Sequence, residues 1–130
     1  MHNVLIIGYG SIGRKHAIIL AKIKKIKKIY IITKQKIQKI KKIQKTTYTE
    51  IVNLKIDYII ISNPSSSHYK TIKLIEKNFI NKKVLIEKPL FNKSHRLDLK
   101  KNFYYVGYNL RFHPVIKKIK NLIIKKNIWN

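Results

Sequence analysis

Three closely spaced glycines carry the first chemistry in the chain. Gly8-Tyr9-Gly10-Ser11-Ile12-Gly13 follows directly on the apolar run Val4-Leu5-Ile6-Ile7 and leads into residues 14–21, a stretch of helix-forming composition. Strand, glycine turn and helix is the context in which G-x-G-x-x-G has a phosphate-binding meaning. Gly8 permits a tight turn out of the strand. Gly10 lets the backbone approach a pyrophosphate with no Cβ between them, and Gly13 lets the helix pack close to the strand. The amides and positive end of that helix, at Ser11, Ile12 and Gly13, then face the phosphates. A merely structural glycine turn is the competing reading; the strand before and the helix after favour the dinucleotide.

Other residues with chemical potential fall into four groups: Thr33-Lys34, Asn63-Pro64 with His68, Glu87-Lys88-Pro89, and residues 109–113 with Arg111. Thr33 stands about 20 residues beyond Gly13, where an acid would take the ribose hydroxyls of NAD. A hydroxyl and a cation suit a 2′-phosphate better, so NADP is expected ahead of NAD, unless Lys34 is only a solvated lysine. The chain has no cysteine, which excludes disulfides and thiolate metal sites.

These groups need elements to position them. Residues 29–33 read as a second strand, apolar throughout as a parallel strand buried on both faces should be. Residues 34–45 place Ile37, Ile40 and Ile43 at three-residue spacing, which predicts a helix with one apolar face. Residues 46–54 fit a short strand and a turn. Residues 57–62 form a strand that ends at Asn63-Pro64, because Pro64 cannot donate to a ladder. Ser65, Ser66 and Ser67 offer caps for a helix reaching about Asn78, with Tyr69, Ile72, Ile75 and Phe79 inward. Residues 83–86 are another buried strand. Residues 90–101 are polar, with one short helix at most, and residues 103–109 are a strand. Pro114 opens a last helix with the apolar stripe Val115, Ile119, Leu122 and Ile123. Strands alternating with helices predict a single-domain α/β fold, a Rossmann-type doubly wound parallel sheet. Its ligands sit beyond the carboxyl ends of the strands, where all the unusual residues gather.

With those motifs in order, the chain resembles the N-terminal domain of the glucose–fructose oxidoreductase and inositol dehydrogenase family, Gfo/Idh/MocA. The resemblance rests on the glycine turn followed by His16, Asn63-Pro64 with His68, Glu87-Lys88-Pro89, and Gly107-Tyr108-Asn109-Leu110-Arg111-Phe112-His113-Pro114. It implies NAD or NADP as cofactor and a sugar, polyol or related compound as substrate. It implies that Lys88 reaches the substrate beside the nicotinamide, where a cation hydrogen-bonds the reacting oxygen and favours a developing alkoxide. Glu87 would orient Lys88 or cap nearby backbone. Asn63 and Pro64 would line the nicotinamide side. His68 would stand at the start of its helix, or simply cap it. Arg111 would hold a substrate or cofactor anion, or join a structural ion pair. Family members are much longer, with a C-terminal substrate domain that is missing here. That places a dinucleotide domain at residues 1–113, and the start of a connection to the absent domain at residues 114–130. The chain reads as half of an enzyme, inactive alone and made sticky by the stripe on its last helix. A stand-alone nucleotide-binding or regulatory module is the alternative.

Bulk composition limits the other classes. A length of 130 residues with 45% apolar content suits one domain with a real core. The net charge of +25 invites a nucleic-acid partner. Lys, Ile and Asn dominate together, however, and only Arg14, Arg96 and Arg111 are arginines. A compositional origin follows, with weak, salt-sensitive polyanion binding as a side effect and no specific nucleic acid. No apolar run approaches a membrane span, and no basic stretch precedes an apolar one at the N-terminus, so a cytoplasmic protein is expected.

Overall fold

The computed structural model describes residues 1–125, apart from the side chains of Arg111 and Lys125. Its centre is a six-stranded parallel sheet in the order β3-β2-β1-β4-β5-β6. The strands are β1 (His2–Ile7), β2 (Ile26–Ile32), β3 (Ile43–Thr46), β4 (Tyr58–Ile61), β5 (Lys83–Ile86) and β6 (Phe103–Val106). The helices are α1 (Ser11–Lys22), α2 (Ser65–Asn78) and α3 (Pro114–Lys125), with 3-10 turns at Ile51–Asn53 and Asn109–Phe112. This is the doubly wound order, in which the chain returns to β1 and then builds outward on its other side.

Residue alternation splits the core into two layers. Leu5, Ile7, Ile59, Ile61, Val84 and Ile86 face α2, whose Ile72 and Ile75 are fully buried, with Ile51 and Ile56 beside them. Val4, Ile6, Ile29, Ile31 and Ile60 face α1, which brings Ala17 against them. Each buried isoleucine contributes about 1.5–3 kcal/mol of transfer free energy. Branching at Cβ suits these residues to strands and costs them little rotamer freedom there.

The expected helix at residues 34–45 does not form. The chain bends at Lys34 and Gln35, runs without regular structure to Ile40, turns at Lys41 and Lys42, and enters β3 at Ile43. Three-residue spacing drifts around a helix rather than holding one face. Lys36, Lys39 and Lys42 would also repel one another along it, with no acid near its start. Pairing Ile43 with Ile29 supplies hydrogen bonds the helix would have needed, and Ile37 and Ile43 still pack on the α1-side layer.

Residues 90–101 contain no helix and lie across the α2-side layer through Leu90, Phe91, Leu97 and Leu99. Tyr69, expected inward, is only half-buried and stacks on His95 with ring centres 4.2 Å apart. Glu76 of α2 anchors this strap. Its carboxylate accepts from the Lys100 and Lys101 amides, the Asn102 Nδ2 and the Tyr104 hydroxyl.

Burial pushes the Glu76 carboxyl upward, but hydrogen bonds from Asn102, Tyr104, Lys101 and Lys100 outweigh it and hold the group down at about 2. A depressed carboxylate contributes stability above its unfolded value and loses it as pH falls through the folded one. The Tm advantage of the native chain over Glu76→Gln should therefore be full above about pH 4.5 and gone near pH 2. Thermal unfolding of both proteins across that range measures it; an advantage that persists unchanged to pH 2 would refute the anchor.

Candidate functional site

The strand order reverses between β1 and β4, and their carboxyl ends open a cleft of about 730 Å³. Gly8, Gly10, Thr33, Lys34, Asn63 and Pro64 all line it, as do Tyr9, Tyr48 and Ser62. An adjoining opening of about 450 Å³ shares Tyr9, Gly10 and Gln35 and adds Ser11, Arg14 and Lys36.

The three glycines have three distinct reasons. Gly8 has φ +102°, and a Cβ on it would strike the Asn63 backbone nitrogen. A side chain is strained there whatever the space. Gly13 is buried where a Cβ would run into the Gly8 carbonyl oxygen and come within 2.6 Å of the Ser62 hydroxyl. A Cβ on Gly10 would meet nothing within 4 Å, so this glycine keeps open the space in front of the turn. No side chain caps α1, and no acid stands in its first turn. Its leading amides and positive end are left for an anion.

Two buried polar atoms lining the cleft, the Tyr9 hydroxyl and Asn63 Oδ1, have no hydrogen-bond partner among the described residues. Asn63 Nδ2 donates to Thr71 Oγ1 at 2.9 Å. Tyr48 also lines the cleft, where burial raises its phenol above the ordinary value and a Thr71 hydrogen bond opposes the rise. Open backbone at Gly10 and uncapped donor amides at the start of α1 fit a phosphate-bearing dinucleotide.

The remaining residues sit around this cleft. The Ile12 side chain turns the other way, into a groove it shares with His16 and Glu87. Glu87 Oε1 accepts from His16 Nε2 at 2.7 Å, tying the end of β5 to α1. Lys88 follows, exposed, with a cis peptide to Pro89. His68 is 1% exposed, with Nδ1 2.9 Å from the Leu90 carbonyl oxygen and Nε2 2.8 Å from that of Asn63. It bridges the loops after β4 and β5 from within. The Arg111 backbone lies in the Asn109–Phe112 turn, and its side chain falls outside the described residues. Tyr9, Arg14, Lys36 and Tyr48 join the cleft unannounced by the sequence. Only the neighbours of the glycine turn and of Thr33-Lys34 hinted at the first three.

Comparison with known proteins adds a family and a fold. The family model described as an oxidoreductase family with an NAD-binding Rossmann fold, GFO_IDH_MocA, matches residues 2–100. No curated protein matches the chain. Myo-inositol 2-dehydrogenase from Lactobacillus plantarum superposes with TM-score 0.74 at 22% identity, over 99% of this chain and 42% of that one. Scyllo-inositol dehydrogenase from Lactobacillus casei, solved with NAD(H) and scyllo-inositol, superposes with TM-score 0.69 at 21% identity, over 100% of this chain and 43% of that one. These likenesses show the fold, and the chain spans about two-fifths of either structure's length.

The glycine geometry separates folding from binding. Gly10→Val should fold with unchanged Tm yet bind dinucleotide at least tenfold more weakly, since its side chain fills only ligand space. Gly8→Ala should cost about 2 kcal/mol or more in stability from backbone strain and overlap. Denaturation paired with NAD(P)H fluorescence titration checks both; wild-type affinity in Gly10→Val would remove the phosphates from this turn.

Proposed function

The chain belongs to the Gfo/Idh/MocA oxidoreductase family and carries its NAD-binding Rossmann fold, and from that premise we propose that it holds NADP for hydride exchange with a sugar or polyol. The observation that carries the binding is the open backbone at Gly10, beside uncapped α1 amides at the β1–β4 reversal. When bound, the nicotinamide supplies or accepts the hydride. Gly10, Ser11 and the α1 amides would hold the pyrophosphate. Asn63 and Pro64 would line the nicotinamide side of the cleft.

Lys88 is the proposed acid–base group. At the carboxyl end of β5 its ammonium would hydrogen-bond the reacting oxygen, stabilise alkoxide character and donate a proton to that oxygen when a carbonyl is reduced; in the reverse direction the neutral amine would take the alcohol's proton. Glu87 and His68 would serve as positioning residues: the first through His16, the second by joining the Asn63 and Leu90 carbonyls. The inositol dehydrogenases among the superposed structures support a polyol as substrate. Arg111 would take an anionic group of cofactor or substrate.

NADP is favoured over NAD by the charge around the ribose end of the cleft. No acid occurs before Glu50, and Lys34, Lys36 and Arg14 stand beside Thr33 and Gln35. A diol has no carboxylate to bind there, whereas a 2′-phosphate meets cations. In ~0.15 M salt, NADPH should bind at least tenfold tighter than NADH, with Lys34→Ala narrowing the gap. A preference for NADH would sink this assignment.

The 130 residues should bind cofactor without turning over substrate. Positioning supplies about 7–11 kcal/mol of barrier reduction in such reactions, and Lys88 stands exposed with Glu87 committed to His16. Purified chain assayed with NAD(P) and a panel of sugars, polyols and nucleotide sugars should show none. Turnover abolished by Lys88→Ala would show instead that this domain suffices for catalysis.

A further inference from the structure

Helix α1 covers the sheet over β1 and β2 and reaches Ile60 of β4, but the same face is open over β5 and β6. Two depressions there, of about 580 and 610 Å³, share Leu85 and Tyr105 and form one trough along the flank of α1. Its floor is Tyr58, Ile60, Leu85 and Tyr105; its α1 wall is Ile12 and Ile19. Ile19 is 60% and Tyr105 54% exposed. Apolar surface of that extent, rimmed by charge, marks an interaction site. The rim carries Lys15, Lys25 and Lys83, and its one carboxylate, Glu87, is held by His16.

We propose that this trough docks an acidic amphipathic helix of a partner protein. A helix is the element that completes the layer, lying beside α1 at the ~8–10 Å spacing of packed helices. An acidic one is required by charge. The chain's own α3 has a suitable apolar face, with Val115, Ile119 and Leu122 exposed, but at helical spacing Lys118 and Lys120 flank that face. Set against Lys15, Lys25 and Lys83, from this chain or a second copy, it would bring lysine to lysine. Two chains of net charge +25 also repel each other as wholes. Glutamates flanking an apolar stripe turn each of those contacts favourable and steer the encounter.

The test uses the full chain and three labelled synthetic helices of about three to four turns, read by fluorescence anisotropy in ~0.15 M salt. One has a leucine stripe with glutamate elsewhere, the second lysine for glutamate, and the third serine for leucine. The leucine–glutamate helix should bind at least tenfold tighter than either relative. Tyr105→Ser and Ile19→Ser should each weaken it tenfold while leaving Tm and dinucleotide affinity unchanged, since both side chains are exposed. Equal binding of the serine–glutamate helix would reduce the effect to polyanion attraction and overturn the proposal. So would indifference to Tyr105→Ser. A dimer in sedimentation velocity that Tyr105→Ser dissociates would assign the trough to a second copy. Tyr105-dependent binding to phosphatidylcholine–phosphatidylglycerol vesicles would assign it to lipid.

Discussion

Gly13 lies against the Gly8 carbonyl and the Ser62 hydroxyl more closely than any side chain would allow. Ser62 in turn donates to the Gly8 carbonyl oxygen at 3.0 Å, joining the end of β4 to the turn after β1. This contact sets the start of α1 directly over the junction where the strand order reverses. The cleft, its uncapped amides and the placement of Asn63 and Pro64 all depend on it. Moving α1 outward by the width of one methyl group would open the core at Ala17 and misaim the amides together.

Electrostatics divide the molecule in the same economical way. All five acids are engaged within the chain: Glu50 with Thr46 and Thr47, Asp57 with the Asn3 amide, Glu76 with the 100–104 segment, Glu87 with His16 and Asp98 with Lys100. The carboxylates here hold backbone or orient loops, and little negative charge is left to balance the lysines. The +25 is therefore a property of the solvated surface. Cations border a cavity at Lys34, Lys36 and Arg14 beside the cleft and along the rim of the open trough.

Much of the architecture was legible because parallel strands buried on both faces read as continuous apolar runs. Residues 4–7 announce themselves this way; Tyr58–Ile61 and residues 84–86 are equally apolar, though Tyr58 and Leu85 stay only half-buried on the α1 side. The glycine turn was legible because each glycine answers a different steric demand, two of them met by backbone within the chain. Residues 34–45 were misread because isoleucine and lysine alternate through both helices and strands here, so side-chain period lost its discriminating power. The partnership of His16 with Glu87 spans 71 positions and no local pattern encodes it. The burial of His68 was equally hidden, since its two acceptors are backbone carbonyls on different loops. Tyr48 reaches the cleft only because β3 pairs with β2 where a helix was expected.

The two rims of the sheet are built unlike each other. Edge strand β3 presents exposed Gln44 and Lys45, and a lysine on an edge discourages another chain from adding a strand. Edge strand β6 reads Phe103-Tyr104-Tyr105-Val106, four residues of high β-propensity without a charge. Lys100 and Lys101 just before it act as gatekeepers, and Glu76 grips it through Asn102 and Tyr104. The molecule thus has one charged margin and one uncharged margin, and a single carboxylate ties the uncharged one to α2. Acid that protonates Glu76 releases its hold on Asn102 and Tyr104, so the tie between β6 and α2 loosens as pH falls toward about 2.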